Sequence, residues 1–330
     1  LGKDRATGHN VWTQDPSKDG ATHYNEVVLR ALAAGWSRAN TGSHIVRNNV
    51  IFNCEQAGIC GSLGAVFSRI TGNHIYNIWT KRQFTGAEMG GIKLHAAIDV
   101  VIEGNRIHNA GRGLWMDWMA QGTRITRNLC YDNSTDDLFV EVDHGPFLVD
   151  NNLFLSSISL RDWSEGGAYV HNLLNGSIVQ RPEPRRKTPY HEAHSTALAG
   201  VGSIQGGDDR WYNNLFTGDA SLSVYGPGAL PVREGGNAAC DSLPAPRIED
   251  EGDAVFLVFT AGPCLRGVST VAVTTALLGK AKITGLPWEN PDGSPLAITR
   301  DYFGTARSTP APTAGPFESP GSGQVRLKVW

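Results

Sequence analysis

Long hydrophobic runs are missing from this 330-residue chain: no stretch approaches the roughly 20 consecutive apolar residues of a membrane-spanning helix, and no membrane partner is expected. Charge of one sign is scarce as well. Lys and Arg number 29 against 32 Asp and Glu, a net charge of −3, with no basic run or stripe, so nucleic acid is not an expected partner. Charged residues make up only 18% of the chain and hydrophobic ones 40%, a balance that excludes global disorder and supplies a sizeable core. Cysteine is sparse too. Cys54, Cys60, Cys130, Cys240 and Cys264 are odd in number and have no metal-ligand spacing. Buried free thiols are the expected state, with a Cys240–Cys264 bridge as the alternative. No His, Cys and Asp spacing specifies a metal, and no cofactor is expected. The chain starts at Leu1 without a signal-peptide pattern and reads as though an N-terminal part were missing.

Glycine, by contrast, is plentiful at 39 residues, which suits many turns better than many helices. A unit apolar-x-x-Asn-x-apolar recurs with Asn48, Asn73, Asn105, Asn128, Asn151, Asn172 and Asn214 at its fourth position. A repeat near 23 residues with insertions is that of a parallel β-helix, in which each coil buries its inner face only by stacking on the next. Such crossovers are expected to be right-handed. The asparagines should stack at an inward turn as structural residues.

Between these units lies a second strand with strict alternation: Gly91-Ile-Lys-Leu-His95, Gly113-Leu-Trp-Met-Asp117 and Asp137-Leu-Phe-Val-Glu141. A period of two sends Ile92, Leu94, Leu114, Met116, Leu138 and Val140 inward, and Lys93, Trp115 and Phe139 outward. His95, Asp117 and Glu141 then form one outward column, which the next coil would extend with Arg161, or with Asp162 or Trp163 if a bulge intervenes. Adjacent strands lie about 4.8 Å apart. Two carboxylates in such a column fit the separation of about 5–5.5 Å used by retaining glycosidases. Asp117 would attack the anomeric carbon and Glu141 would protonate the leaving oxygen, with like charge raising one of the two pKa values. Trp115, Trp118 and Phe139 would offer flat apolar surface to a sugar ring.

The segments Gly113-Leu-Trp-Met-Asp117-Trp-Met-Ala-Gln-Gly-Thr-Arg-Ile125 and Asp137-Leu-Phe-Val-Glu141-Val-Asp-His-Gly-Pro-Phe-Leu-Val-Asp-Asn-Asn152 are unusual. With Gly90-Gly-Ile-Lys-Leu-His95 and Gly167-Ala-Tyr-Val-His-Asn172, they resemble glycoside hydrolase family 120, whose characterised members are β-xylosidases. The resemblance runs from Asn25 to the C-terminus and is most specific between residues 86 and 218. It implies an Asp nucleophile and a Glu acid/base, which fall on Asp117 and Glu141, and a sugar-binding Glu, which falls on Glu88 in the loop before the His95 strand. Family members are about twice as long, so this chain resembles their C-terminal half. The implied substrate is a β-xyloside or a short xylo-oligosaccharide.

His95, Trp115, Trp118, His144 and Asp162 complete the expected sugar contacts, and the basic insertion at 181–187 could drape Arg185, with His194 further on, over the site. The expected organisation is a partial N-terminal segment (1–42), β-helix coils carrying the catalytic face (43–218), a β-sandwich-like portion (219–290) and a C-terminal segment packing back on the helix (291–330). Two rival readings are a polysaccharide lyase with Lys93 or Arg161 as base, usually with Ca²⁺, and a non-catalytic sugar-binding β-helix.

Overall fold

The computed structural model describes residues 20–83, 88–226, 229–240 and 242–330, with helix side chains from Asn25 onward. Three parallel sheets run side by side along one axis. The first has eight strands, from Ile45–Arg47 to Arg233–Gly235, and the second has eight, from Val50–Cys54 to Ala238–Ala239. The third has six: Ile59–Gly61, Gly90–His95, Arg112–Asp117, Asp136–Glu141, Ile158–Trp163 and Ser177–Gln180. The first six coils contribute one strand to each sheet in turn and the last two only to the first and second, the arrangement of a parallel β-helix.

Like side chains stack on like inside the coils. Ile125 pairs with Ile102 and Val149, and Leu138 with Leu114 and Leu160. Together with Ile92, Leu94, Met116 and Val140 they form one core running the length of the stack. Burying a side chain of this kind contributes about 1.5–3 kcal/mol, and none of it is available to a coil without neighbours.

An asparagine ladder fixes the register at the turn between the first two sheets. It runs Asn49, Asn73, Asn105, Asn128, Asn152, Asn172, Asn214 and Asn237, each side-chain amide nitrogen donating to the next Oδ1 at 2.9–3.1 Å. Two rungs differ from the sequence expectation: Asn49 and Asn152 stand in the ladder where Asn48 and Asn151 were expected. The residue before each rung turns the chain with positive φ, 56° at Asn48 and 57° at Asn151. Gly72, Gly104 and Gly236 hold the same position in other coils. Asparagine tolerates this left-handed conformation better than most residues, so both members of an Asn-Asn pair suit the turn. An eighth coil also extends the stack beyond residue 218. Its unit, Glu234-Gly-Gly-Asn237-Ala-Ala239, lacks the first apolar residue because exposed Glu234 lies at the stack end.

The remaining chain coats the outside. Leu278, Trp288, Leu296 and Ile298 pack on Leu148, Ala168 and Val170 of the first sheet. Val255, Leu257, Phe259, Phe317 and Val329 pack on Leu129, Leu153 and Leu173 of the second. Among the described residues, 219–290 supply, in place of the expected sandwich-like portion, the two coil strands at 233–239 and two strands, Arg247–Asp250 and Val255–Ala261, of a single antiparallel sheet. Gly323–Lys328 supplies its third strand. A Cys240–Cys264 disulfide ties the last coil to this sheet. The cysteines therefore depart from the expectation of buried free thiols, since of the other three only Cys130 is buried. The helix Gly20–Ala33 packs Val27, Val28 and Ala31 against Ile98, Trp118 and Val142 at the turns. Among the described residues, the outer face of the third sheet carries only a small apolar cluster of Met89, Trp115 and Phe139. The column of charged side chains stands there.

Candidate active site

Hydrogen-bonded register aligns His95, Asp117, Glu141 and Trp163 on four neighbouring strands. Trp163 thus extends the column. Arg161 lies two positions back, opposite Phe139, and its Nε donates to Asp136 at 2.8 Å. Asp162 faces the interior opposite Val140, wholly buried, and accepts the Tyr225 hydroxyl at 2.7 Å. A place for Asp162 among the sugar contacts is therefore corrected.

Asp117 and Glu141 are nearly buried, 6% and 7% exposed, and their environments differ. Asp117 Oδ2 lies 2.9 Å from Lys93 Nζ and 3.4 Å from His95 Nε2, while its buried Oδ1 accepts no hydrogen bond. Burial would raise the Asp117 pKa, but the charges of Lys93, His95 and Arg186 outweigh it and hold the carboxyl below its ordinary range. Glu141 goes the other way. Burial and the adjacent Asp117 charge raise it to about 7, against the pull of Arg186 and Lys93. Its Oε2 accepts the Trp115 indole N–H at 3.0 Å, and its Oε1 accepts from the Arg186 guanidinium.

Glu88 joins the group from the segment before the His95 strand, with an oxygen 2.8 Å from Lys93 Nζ and another 3.5 Å from His95. Residues 84–87 of that loop lie outside the described residues. Burial opposes ionisation of Glu88, but the His95 hydrogen bond and Lys93 win and hold it low. Lys93 is buried at 2% exposure; burial disfavours its charge, and Asp117 and Glu88 more than restore it. An outward Lys was legible from the alternation, and its ion pairs follow from lying one residue pair behind the column.

Behind the carboxylates, Trp115 and Phe139 lie tilted to each other at 5.4 Å and Phe139 meets Trp163 edge-on at 4.9 Å. These rings form a small cluster with Met89 rather than a bare platform. Trp118 leaves the column altogether. Its φ of 53° turns the chain after Asp117, and the ring is buried beside the N-terminal helix, with Arg186 5.1 Å above it. His144 is also structural: Nδ1 lies 2.6 Å from Glu165, and Nε2 3.2 Å from the carbonyls of Thr188 and Gly202.

Those carbonyls belong to an antiparallel hairpin, Glu183–His191 with Leu198–Ile204, that closes over the site. The hairpin brings Arg186, not Arg185, to the carboxylates, and places His194 on Asp99 at 2.9 Å, away from the column. Nothing in the sequence separates Arg185 from Arg186, because their aim depends on a local irregularity of the hairpin. Among the described residues, no group of three or more His, Cys, Asp or Glu side chains is placed to hold a metal ion.

The fold and its outward carboxylates define a right-handed parallel β-helix protein, and residues 19–178 match the family described as a right-handed β-helix region. A particular relative can be set beside it. The solved structure of XylC in complex with xylose is similar to this chain with 38% sequence identity and a TM-score of 0.88, over 95% of this chain and 56% of that one. The chain thus spans a little over half the length of that relative. No curated protein matches it.

Proposed function

We propose that this chain carries the catalytic β-helix of a retaining glycoside hydrolase that releases xylose from β-xylosides or short xylo-oligosaccharides. The observation that carries the reading is the register pairing of two nearly buried carboxylates in unlike surroundings, Asp117 against Lys93 and His95 and Glu141 against Trp115, with Asp117 held below its ordinary range and Glu141 raised to about 7. A nucleophile must have an oxygen free to reach the anomeric carbon, and Asp117 Oδ1 accepts no hydrogen bond, with an Arg186 nitrogen 3.8 Å away. Asp117 attacks the anomeric carbon while Glu141 gives its proton to the leaving oxygen. Glu141, now ionised, removes a proton from water in the second step, and the glycosyl ester on Asp117 is hydrolysed with net retention. Lys93 and His95 hold Asp117 Oδ2 still throughout. Glu88 ion-pairs with the same Lys93 beside His95 and is assigned to hydroxyls of the bound ring.

Xylose as the sugar is supported by the xylose bound to the similar XylC. A lyase needs a neutral base, whereas Lys93 is ion-paired with two carboxylates and Arg161 with Asp136. The test is turnover of p-nitrophenyl β-xyloside by the parent and by Asp117→Ala, with circular dichroism on both. Turnover should fall by at least about 10³-fold in the variant. Full activity in a folded Asp117→Ala protein would sink the proposal.

A further inference from the structure

Both carboxylate oxygens of Glu141 are occupied. Oε2 accepts the Trp115 indole N–H, and Oε1 accepts from Arg186, whose other terminal nitrogen lies 3.8 Å from Asp117 Oδ1. A general acid must carry a proton on one of these oxygens and present it to the leaving group. Trp115 has no room to withdraw: it is 4% exposed, packed with Met89 and Phe139, and flanked by Lys93 at 4.7 Å and Arg112 at 4.9 Å. Arg186 does have room. Its side chain is 29% exposed, and it stands on a bulge, because Glu183 pairs with Ile204 and Lys187 with the adjacent Ser203. Residues 184–186 are thereby left out of the hairpin register, the kind of irregularity that re-aims a side chain. The stem beneath is fixed independently by His144 on Thr188 and Gly202, and by Gln121 on His191.

We infer that Arg186 is a removable counter-charge and a positioning residue for Glu141: it occupies Oε1 in the free protein and leaves when a sugar ring enters, so that Glu141 gains its proton together with the ligand. The inference rests on the glycosidase reading and adds a residue to it. The other charged groups facing this pair are Asp117 and Arg112 on the adjacent strand, Lys93 and His95 on the next, Glu88 before that strand and Asp143 just past Glu141. Among the described residues, these groups lie on the coil strands or next to them, whereas Arg186 comes from the hairpin. The proton balance is simple. Arg186 stays charged, one proton passes from solvent to Glu141 Oε1 on binding, and that proton is spent on the leaving oxygen.

The experiment is calorimetry of xylose binding near pH 7 in two buffers of different ionisation enthalpy, on the parent and on Arg186→Gln. Proton uptake in the parent that is lost in the variant is expected. Equal uptake in both, or none in the parent, overturns the inference, and so does failure of the parent to bind xylose. In parallel, the basic limb of kcat/KM for xylobiose should move to higher pH in Arg186→Gln and return in Arg186→Lys, a shift that a merely structural role would not produce. An unmoved limb counts against the counter-charge. Failure of the glycosidase reading is read separately, as absence of xylobiose turnover by a parent that still takes up a proton with xylose.

Discussion

Replacing Asn152 with alanine tests how the stack keeps its register. Asn152 Oδ1 accepts the backbone N–H and the side-chain amide of Asn128, both at 2.9 Å. Its own amide donates to the carbonyls of Ile125 at 2.9 Å and Asp150 at 3.0 Å, and to Asn172 Oδ1 at 3.0 Å. Asn128 Nδ2 keeps the Ile102 and Thr126 carbonyls, and Asn172 Oδ1 keeps the Asn152 backbone N–H. The group left stranded is the buried Asn128 N–H; the Ile125 carbonyl loses one donor but stays in the ladder that pairs Ile125 with Val149. With one buried group stranded, the variant should lose about 1–3 kcal/mol. That is a large share of the roughly 5–15 kcal/mol that holds a typical protein folded. The comparison is Asn48→Gly, at an exposed position of positive φ that glycine fills in other coils, where a change within about 1 kcal/mol is expected. Urea denaturation followed by circular dichroism measures both. If Asn152→Ala costs no more than Asn48→Gly, the ladder is not what fixes the register.

Two further outcomes follow from groups away from the carboxylate pair. Burial raises Asp162 to about 6 and Asp137 to about 7 from an ordinary 3.8, so both favour folding when protonated. That stabilisation is complete below pH ~4 and is lost as pH rises through 6 and 7. The melting temperature should therefore fall between pH 5 and 8, and a rise across that window would contradict the assignment. The Cys240–Cys264 bridge closes a loop with a sequence separation of 24, and reducing it should cost about 3 kcal/mol in urea titrations. Activity per folded molecule should be unchanged, since the bridge lies on the second-sheet side of the stack.

The fold was legible because its two periods are written in side chains: apolar residues alternating along a strand, and asparagines returning once per coil. The errors arose where chemistry is degenerate. At Asn48-Asn49 and Asn151-Asn152 both residues suit the turn, so composition could not say which one faces inward. Arg161 was set two places too far along its strand, because a two-residue slip leaves every side chain on its proper face. The eighth coil went unread because a terminal coil has no neighbour to bury its first apolar position against, and Glu234 is free to stand there. Asp117 and Glu141 followed from alternation alone. Arg186 did not, since an irregular hairpin leaves no periodic trace.

The ladder asparagines are between 20 and 42 residues apart in sequence, yet consecutive rungs meet at the same hydrogen-bond distance. Contour length and spatial position are thereby uncoupled. A coil can lengthen its excursion, as the 183–204 hairpin does, without altering the rise to the next strand. Asp117 and Glu141 are spaced by the β-sheet repeat, whereas the covering above them is held by side-chain contacts to its stem. Selection, or an engineer, can therefore trade one hairpin for another and change what the site admits while the two carboxylates keep their separation.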